Sequence, residues 1–243
     1  MEAAVRILGF LNGTVTLKEK RRKRRAEVTF QVQSGKRYTV NHIDYVIDDS
    51  VVADLVLRDS LESLLYKGMP FDANVLNEER SRISSLLQNE GYQRFNKSFV
   101  RFEADTTIGD QRVDLTMYIQ PYRASVNDSL RQHPRYYIGT VNYLSDLEMQ
   151  SFRAQREHLD SMVVRSLHFY QRKDMPLRPL FLVNKTDLRP GHLYEERHVQ
   201  STYTNLSSLS AVMGTSIFLE PSPTAPDTSR SEERRVGKEC RSR

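Results

Sequence analysis

A single cysteine, Cys240, stands in 243 residues, so the chain can close no disulfide within itself and offers no thiolate cluster for zinc. Long apolar runs are missing too: none approaches the roughly 18 residues that a helix needs to cross a bilayer. The ten glycines contain no GxxxxGK[ST] loop, which removes the usual cradle for a nucleotide phosphate. Six histidines are scattered, and the closest two, His192 and His198, lack the four-residue spacing that would put both on one helical face for a metal. No nucleophile elbow, HExxH or paired-cysteine signature occurs. Glu78, Glu79 and Arg80 fall in the first turns of an expected helix, where acids oppose the dipole; this explains them more simply than acid-base catalysis. The chain is therefore read as a non-enzyme with no cofactor and no metal.

The formal charge is +5. Residues 231–243 (SEERRVGKECRSR) are charged, aperiodic and hold the cysteine; they are similar to a stretch that recurs at the ends of proteins from metagenomic assemblies, where a sequencing adapter is read through as coding sequence. Without them five basic and three acidic residues go, and +5 becomes +3. At the other end, residues 1–10 read as the close of a helix with nothing before it, so a fragment of a longer protein is expected.

What is present is a repeat. Tyr38, Val40, Ile43 and Tyr45 return as Tyr136, Ile138, Val141 and Tyr143, all at an offset of 98, and in both copies the parity changes once, as a bulge in a first strand requires. Gly68, Phe71, Leu76, Ile83 and Leu86 return as Gly191, Tyr194, Val199, Leu206 and Leu209 at an offset of 123. The second copy thus carries 25 extra residues between its first strand and first helix, expected within residues 145–178 with one additional strand at 163–170.

Within the first copy, residues 50–65 and 72–89 have the spacing of amphipathic helices, the second capped by Asp72 and stopped by Gly91 and Tyr92. Residues 98–103 and 112–120 alternate as two strands around a DTTIGDQ turn. Leu8, Gly9 and Phe10 match the stop at 88–92 and lead into another hairpin, residues 13–17 and 27–33, the tail of an earlier copy. Each copy reads strand, helix, helix, strand, strand.

Two motifs invite other chemistry. Lys18, Lys20, Arg21, Arg22, Lys23, Arg24 and Arg25 form a basic contact loop that could meet nucleic acid or the phosphates of lipid headgroups; the plainer reading is a solvated hairpin tip, since no aromatic platform or second basic stripe accompanies it. The NKTD run, Asn184 to Asp187, mimics the guanine-specifying motif of GTPases, and without a phosphate loop reads as a helix end with a polar cap.

Tyr38-x-Val40, Ile43-x-Tyr45, GMPF at 68–71, Glu79-Arg80-x-Arg82-Ile83 leading to Asn89-x-Gly91-Tyr92, and Val100-x-Phe102-x-x-Asp105-Thr106 resemble the POTRA (polypeptide-transport-associated) domain. The last two blocks, with RPGxLY at 189–194 and STYxxL at 201–206, look like the TamL-type branch of the BamA/TamA outer-membrane assembly family of Bacteroidota. The resemblance implies an α+β fold of tandem POTRA repeats, each a small mixed three-stranded sheet covered by two helices. It divides the chain into a remnant of a preceding repeat (1–36), a complete repeat (37–121), a linker (122–134), a second repeat with an insertion and no last strand (135–222), and a tail (223–243). It also implies the periplasmic face of the bacterial outer membrane. The partners would be unfolded outer-membrane proteins, assembly-complex subunits and the protein's own C-terminal β-barrel, with the membrane reached through that barrel or a lipid anchor, and no nucleic acid.

A hairpin beside a first strand leaves one strand at the sheet edge, where unpaired N–H and C=O groups can accept an extended client. The candidate client-binding edge is Lys97, Ser98, Phe99, Val100, Arg101, Phe102 and Glu103. A purely structural spacer that binds no client is the alternative reading.

Overall fold

The computed structural model describes residues 1–22, 25–123, 129–145, 159–171, 177–212, 214–221 and 232–241. The chain forms two compact units, Met1–Ser84 with Asn96–Asp128, and Ser85–Phe95 with Ser129–Arg243. These are not the contiguous spans read from the sequence. Residues 1–36 fold with the first unit, and the helix end around Gly91 belongs to the second because its carbonyl accepts the Tyr136 N–H at 2.8 Å.

The first unit begins with a short helix α1 (Glu2–Ile7) and a hairpin, β1 (Thr14–Arg22) with β2 (Arg25–Gln33). Its main sheet has the order β3-β5-β4: β3 (Thr39–Ile47) runs parallel to β5 (Arg112–Ile119), and β4 (Val100–Asp105) runs antiparallel to β5 on the other side. The central position of β5 explains its alternation, because Val113, Leu115 and Met117 are all fully buried while the residues between them are not. The register of β3 shifts between Val40 and His42, where the parity change demands a bulge.

Helices α2 (Ser50–Arg58) and α3 (Ala73–Asn89) follow β3. Asp49 accepts the Val51 and Val52 N–H groups, and Asp72 accepts that of Asn74, so both helices start on acceptors. Val40 of β3, Leu76 of α3, Val113 and Leu115 of β5, and Leu65, Met69 and Phe71 of the segment between the helices form one core. The first helix is shorter than the expected 50–65: it stops at Arg58 and gives way to a 3-10 turn, Ser60–Glu62. Asp59, Ser63 and Leu64 are bonded instead to Arg82 and Glu79 of α3, which pulls the chain out of helical register.

The second unit repeats the plan with additions. Its sheet has the order β7-β8-β6-β10-β9, from β6 (Tyr136–Ser145), β7 (Asp160–Val164), β8 (Leu167–Gln171), β9 (Gly214–Pro221) and β10 (Glu232–Arg241). Helices α4 (Pro179–Asn184) and α5 (Glu196–Ser207) supply Leu182, Val183, Val199 and Leu206 to a core shared with Tyr136, Ile138, Val141, Tyr143 and Phe169.

One expectation is corrected here. The insertion contributes a hairpin, β7 and β8, in place of a single strand at 163–170; Arg165 and Ser166 both take positive φ, the two-residue turn that fits the twist of a hairpin. The position that β5 holds in the first unit is taken by β10, which lies within the adapter-like tail and pairs parallel to β6 and antiparallel to β9.

Candidate functional site

One edge strand of the first unit is β4, which pairs only with β5 among the described strands. The predicted edge of Lys97 to Glu103 needs correction at its start. Lys97–Phe99 is a 3-10 turn, held by the Asn96 side chain, which accepts the Ser98 N–H at 2.9 Å. The open ladder therefore runs over Val100–Asp105. Its outward side chains Arg101 and Glu103 are exposed and paired with each other at 2.8 Å. On the inner side Phe102 is half-buried beneath the Arg80 guanidinium, 5.6 Å from the ring centroid. Across the ladder, desolvation and the Glu103 carboxylate push the Tyr118 phenol above its ordinary pKa.

The basic stretch does not form the single loop that its sequence suggested. Lys18, Lys20, Arg21 and Arg22 lie along β1 and Arg25 opens β2, while Lys23 and Arg24 lie outside the described residues. Strand alternation sends Lys18 and Lys20 to one face and Arg21 to the other, where its Nε donates to Glu19 at 2.5 Å. Among the described side chains, those of Lys18 and Lys20 thus lie on the face opposite that of Arg21.

A buried polar clasp went unread in the sequence. Glu79 is 1% exposed; it accepts from the Ser63 hydroxyl and the Leu64 N–H, both at 3.0 Å, and from Arg82 at 2.7–2.9 Å. Arg82 also pairs with Asp59. Glu79 lies a second turn into α3 and faces inward, so it does not serve the helix dipole. The second unit keeps the arrangement with a neutral group: Thr202, fully buried, stands 123 positions later and its hydroxyl accepts the N–H of Asp187, the counterpart of Leu64. Asp187 in turn accepts from Ser201, and Thr186 donates to the Leu182 carbonyl at 2.8 Å, so the NKTD run is a capped helix end. Replacing Thr202 with valine is expected to leave the Asp187 N–H without its acceptor and cost about 1–2 kcal/mol in urea unfolding.

A cavity of about 170 Å³ lies beside this loop, lined in part by Asp187, Arg189, His192, Glu195 and His198. Its acids are engaged, Asp187 by Ser201 and Glu195 by Arg197, and no cluster of three metal-ligating residues occurs among the described residues. His133, which the sequence did not single out, is 7% exposed and packs on Phe95 with ring centroids 4.9 Å apart.

No family model matches the sequence, and no curated protein matches it. Solved structures do. The crystal structure of Haemophilus influenzae BamA POTRA3-5 matches with a TM-score of 0.51 and 11% identity, over 98% of this chain and 76% of that one. The crystal structure of BamA from Haemophilus ducreyi lacking POTRA domains 1–3 gives 0.54 and 12% identity over 85% of this chain and 30% of that one. The repeated strand-helix-helix-strand-strand order, the β3-β5-β4 sheet and these two superpositions together establish that the chain has the α+β fold of tandem POTRA repeats.

Proposed function

We propose that this chain is the periplasmic POTRA region of an outer-membrane protein assembly or translocation factor, and that it guides unfolded outer-membrane proteins and docks accessory subunits by strand addition. The observation that carries the reading is β4, a short strand at the rim of a POTRA-type sheet with one side of its ladder open among the described residues. Main-chain pairing there tolerates many client sequences, and each bond contributes about 1 kcal/mol net, so clients bind weakly and leave readily. Within this reading, the Glu79-Arg80-x-Arg82-Ile83 and RPGxLY blocks favour the TamL-type branch. The β1–β2 hairpin is the end of a preceding repeat: Leu17, Val28, Phe30 and Val32 are all about half-exposed on it, the face that α3 and its neighbours cover in the complete repeat. A C-terminal β-barrel and a membrane attachment belong to the longer protein.

The test is a titration of the 15N-labelled chain with an extended peptide copied from an outer-membrane barrel strand. Amide shifts centred on Val100–Asp105 are expected. Silence at millimolar peptide throughout the chain would leave a structural spacer as the better reading.

A further inference from the structure

Two first strands built to one pattern have different neighbours. In the second unit the outer edge of β6 is taken by β8, in parallel, with Val141 to Ser145 opposite Leu167 to Gln171. In the first unit β3 pairs with β5, and no described strand lies along its other edge. The offset of 98 sets Ile43 to Ile47 at the positions of Val141 to Ser145.

Burial follows that difference. Leu144 is 1% exposed and packs with Tyr170 and Leu159, whereas its counterpart Val46 is 43% exposed. Tyr143 is buried and stacks on Phe169, centroids 4.7 Å apart and planes 12° from parallel; its counterpart Tyr45 is only half-buried. Val46 is thus left uncovered and Tyr45 partly so where β8 covers their counterparts, beside a row of main-chain groups with no ladder partner among the described strands.

We propose that the outer edge of β3, residues 43–47, is a second strand-addition site, and that its occupant is an extended segment of a partner polypeptide running parallel to β3. The inference rests on the strand-addition reading of this fold but assigns it to the edge opposite β4. The chain itself displays the chemistry of the occupant: an aliphatic residue and an aromatic at alternate positions, as Leu167 and Phe169, followed by a second aromatic, as Tyr170. At the position opposite His168 the first unit has Asp44 where the second has Asn142, so a basic residue suits the partner there and an acidic one is repelled. A second copy of the chain is a poor source, because its β8 is already held by its own β6.

The experiment is a titration of the 15N-labelled full chain with a peptide copying residues 165–171 (RSLHFYQ), repeated with glutamate at the histidine and with the Val46→Glu chain. The expected result is saturable shifts on Ile43 to Ile47, weakened by the acidic peptide and lost in Val46→Glu, whose exposed site leaves the remaining spectrum in place. Shifts confined to Val100–Asp105 would overturn the β3 site and leave strand addition at β4 standing. No shift on either edge at millimolar peptide would overturn both. Shifts on Ile43 to Ile47 that follow protein concentration without peptide would identify a second copy as the occupant and overturn the proposal as stated.

Discussion

Replacing Glu79 with alanine is expected to destabilise the first unit by about 3–5 kcal/mol, because it strips the partner from a buried ion pair and abandons three donors at once. The Ser63 hydroxyl, the Leu64 N–H and the Arg82 guanidinium all converge on this one carboxylate. Burial pushes the Glu79 carboxyl upward, but its bonds from Arg82, Leu64 and Ser63 outweigh that and hold its pKa below the ordinary value of 4.5. Its contribution is therefore complete above pH 4.5 and is lost as pH falls through the depressed folded value. Urea unfolding followed by the Leu115 and Ile83 amide signals, at neutral pH and in steps below pH 4.5, reads both effects. Arg82→Met should also destabilise strongly, and should move the acid transition to higher pH, since the carboxylate then keeps its burial and loses its cation. Changing both, Glu79→Leu with Arg82→Met, should cost less than the two losses added together. A Glu79→Ala chain that melts within 1 kcal/mol of the parent, with an unchanged acid limb, would show that water replaces the clasp without loss.

That clasp marks where sequence reasoning stopped. The helix containing Glu79 was legible from its apolar spacing, its Asp72 cap and its Gly91 stop, yet a charged residue in an early turn has a sufficient local explanation, so nothing in the pattern says that it turns inward. The comparison of copies could have found it, because the 123-residue offset aligns Glu79 with Thr202, a polar residue of another kind on the helical face between Val199 and Leu206, as Glu79 is between Leu76 and Ile83. The offset of 98 carried further: it located the bulge in β3 between Val40 and His42 and the matching irregularity in β6 opposite Arg234 and Val236. Strand alternation read β5 correctly, residue by residue. The β7–β8 hairpin was hidden because its turn is Arg165 and Ser166, where positive φ usually announces itself through Gly or Asn. The start of the candidate edge departs from an extended strand for a similar local reason, since Asn96 caps a 3-10 turn that alternation cannot reveal.

The glycine ahead of each first strand supports the second prediction. Gly9 has φ +88°, and its carbonyl accepts the Tyr38 N–H at 2.9 Å; the Tyr38 carbonyl accepts from Phe71 at the same distance. Gly91 repeats this with φ +95°, accepting from Tyr136, whose own carbonyl accepts from Tyr194. A guanidinium roofs both joints, Arg37 at 5.9 Å over Phe10 and Arg135 at 5.6 Å over Tyr92. Alanine at either glycine pays about 1–3 kcal/mol for a left-handed backbone. The two sites then diverge. A Cβ on Gly9 would meet the Phe71 carbonyl oxygen at 2.1 Å, a rigid main-chain atom engaged in the core, whereas a Cβ on Gly91 would meet Leu193 Cδ1 at 2.6 Å, the far end of a side chain that can turn aside. Gly9→Ala is therefore expected to lose about another 1–3 kcal/mol to overpacking and to break the Tyr38 and Phe71 bonds, which Gly91→Ala keeps. Urea midpoints give the energies, and hydrogen exchange at Tyr38 and Phe71 against Tyr136 and Tyr194 tells whether the bonds survive. Equal, small losses at the two glycines, with all four amides still protected, would mean that the first joint yields as easily as a leucine side chain and that its close packing against Phe71 is not what fixes β3 in place.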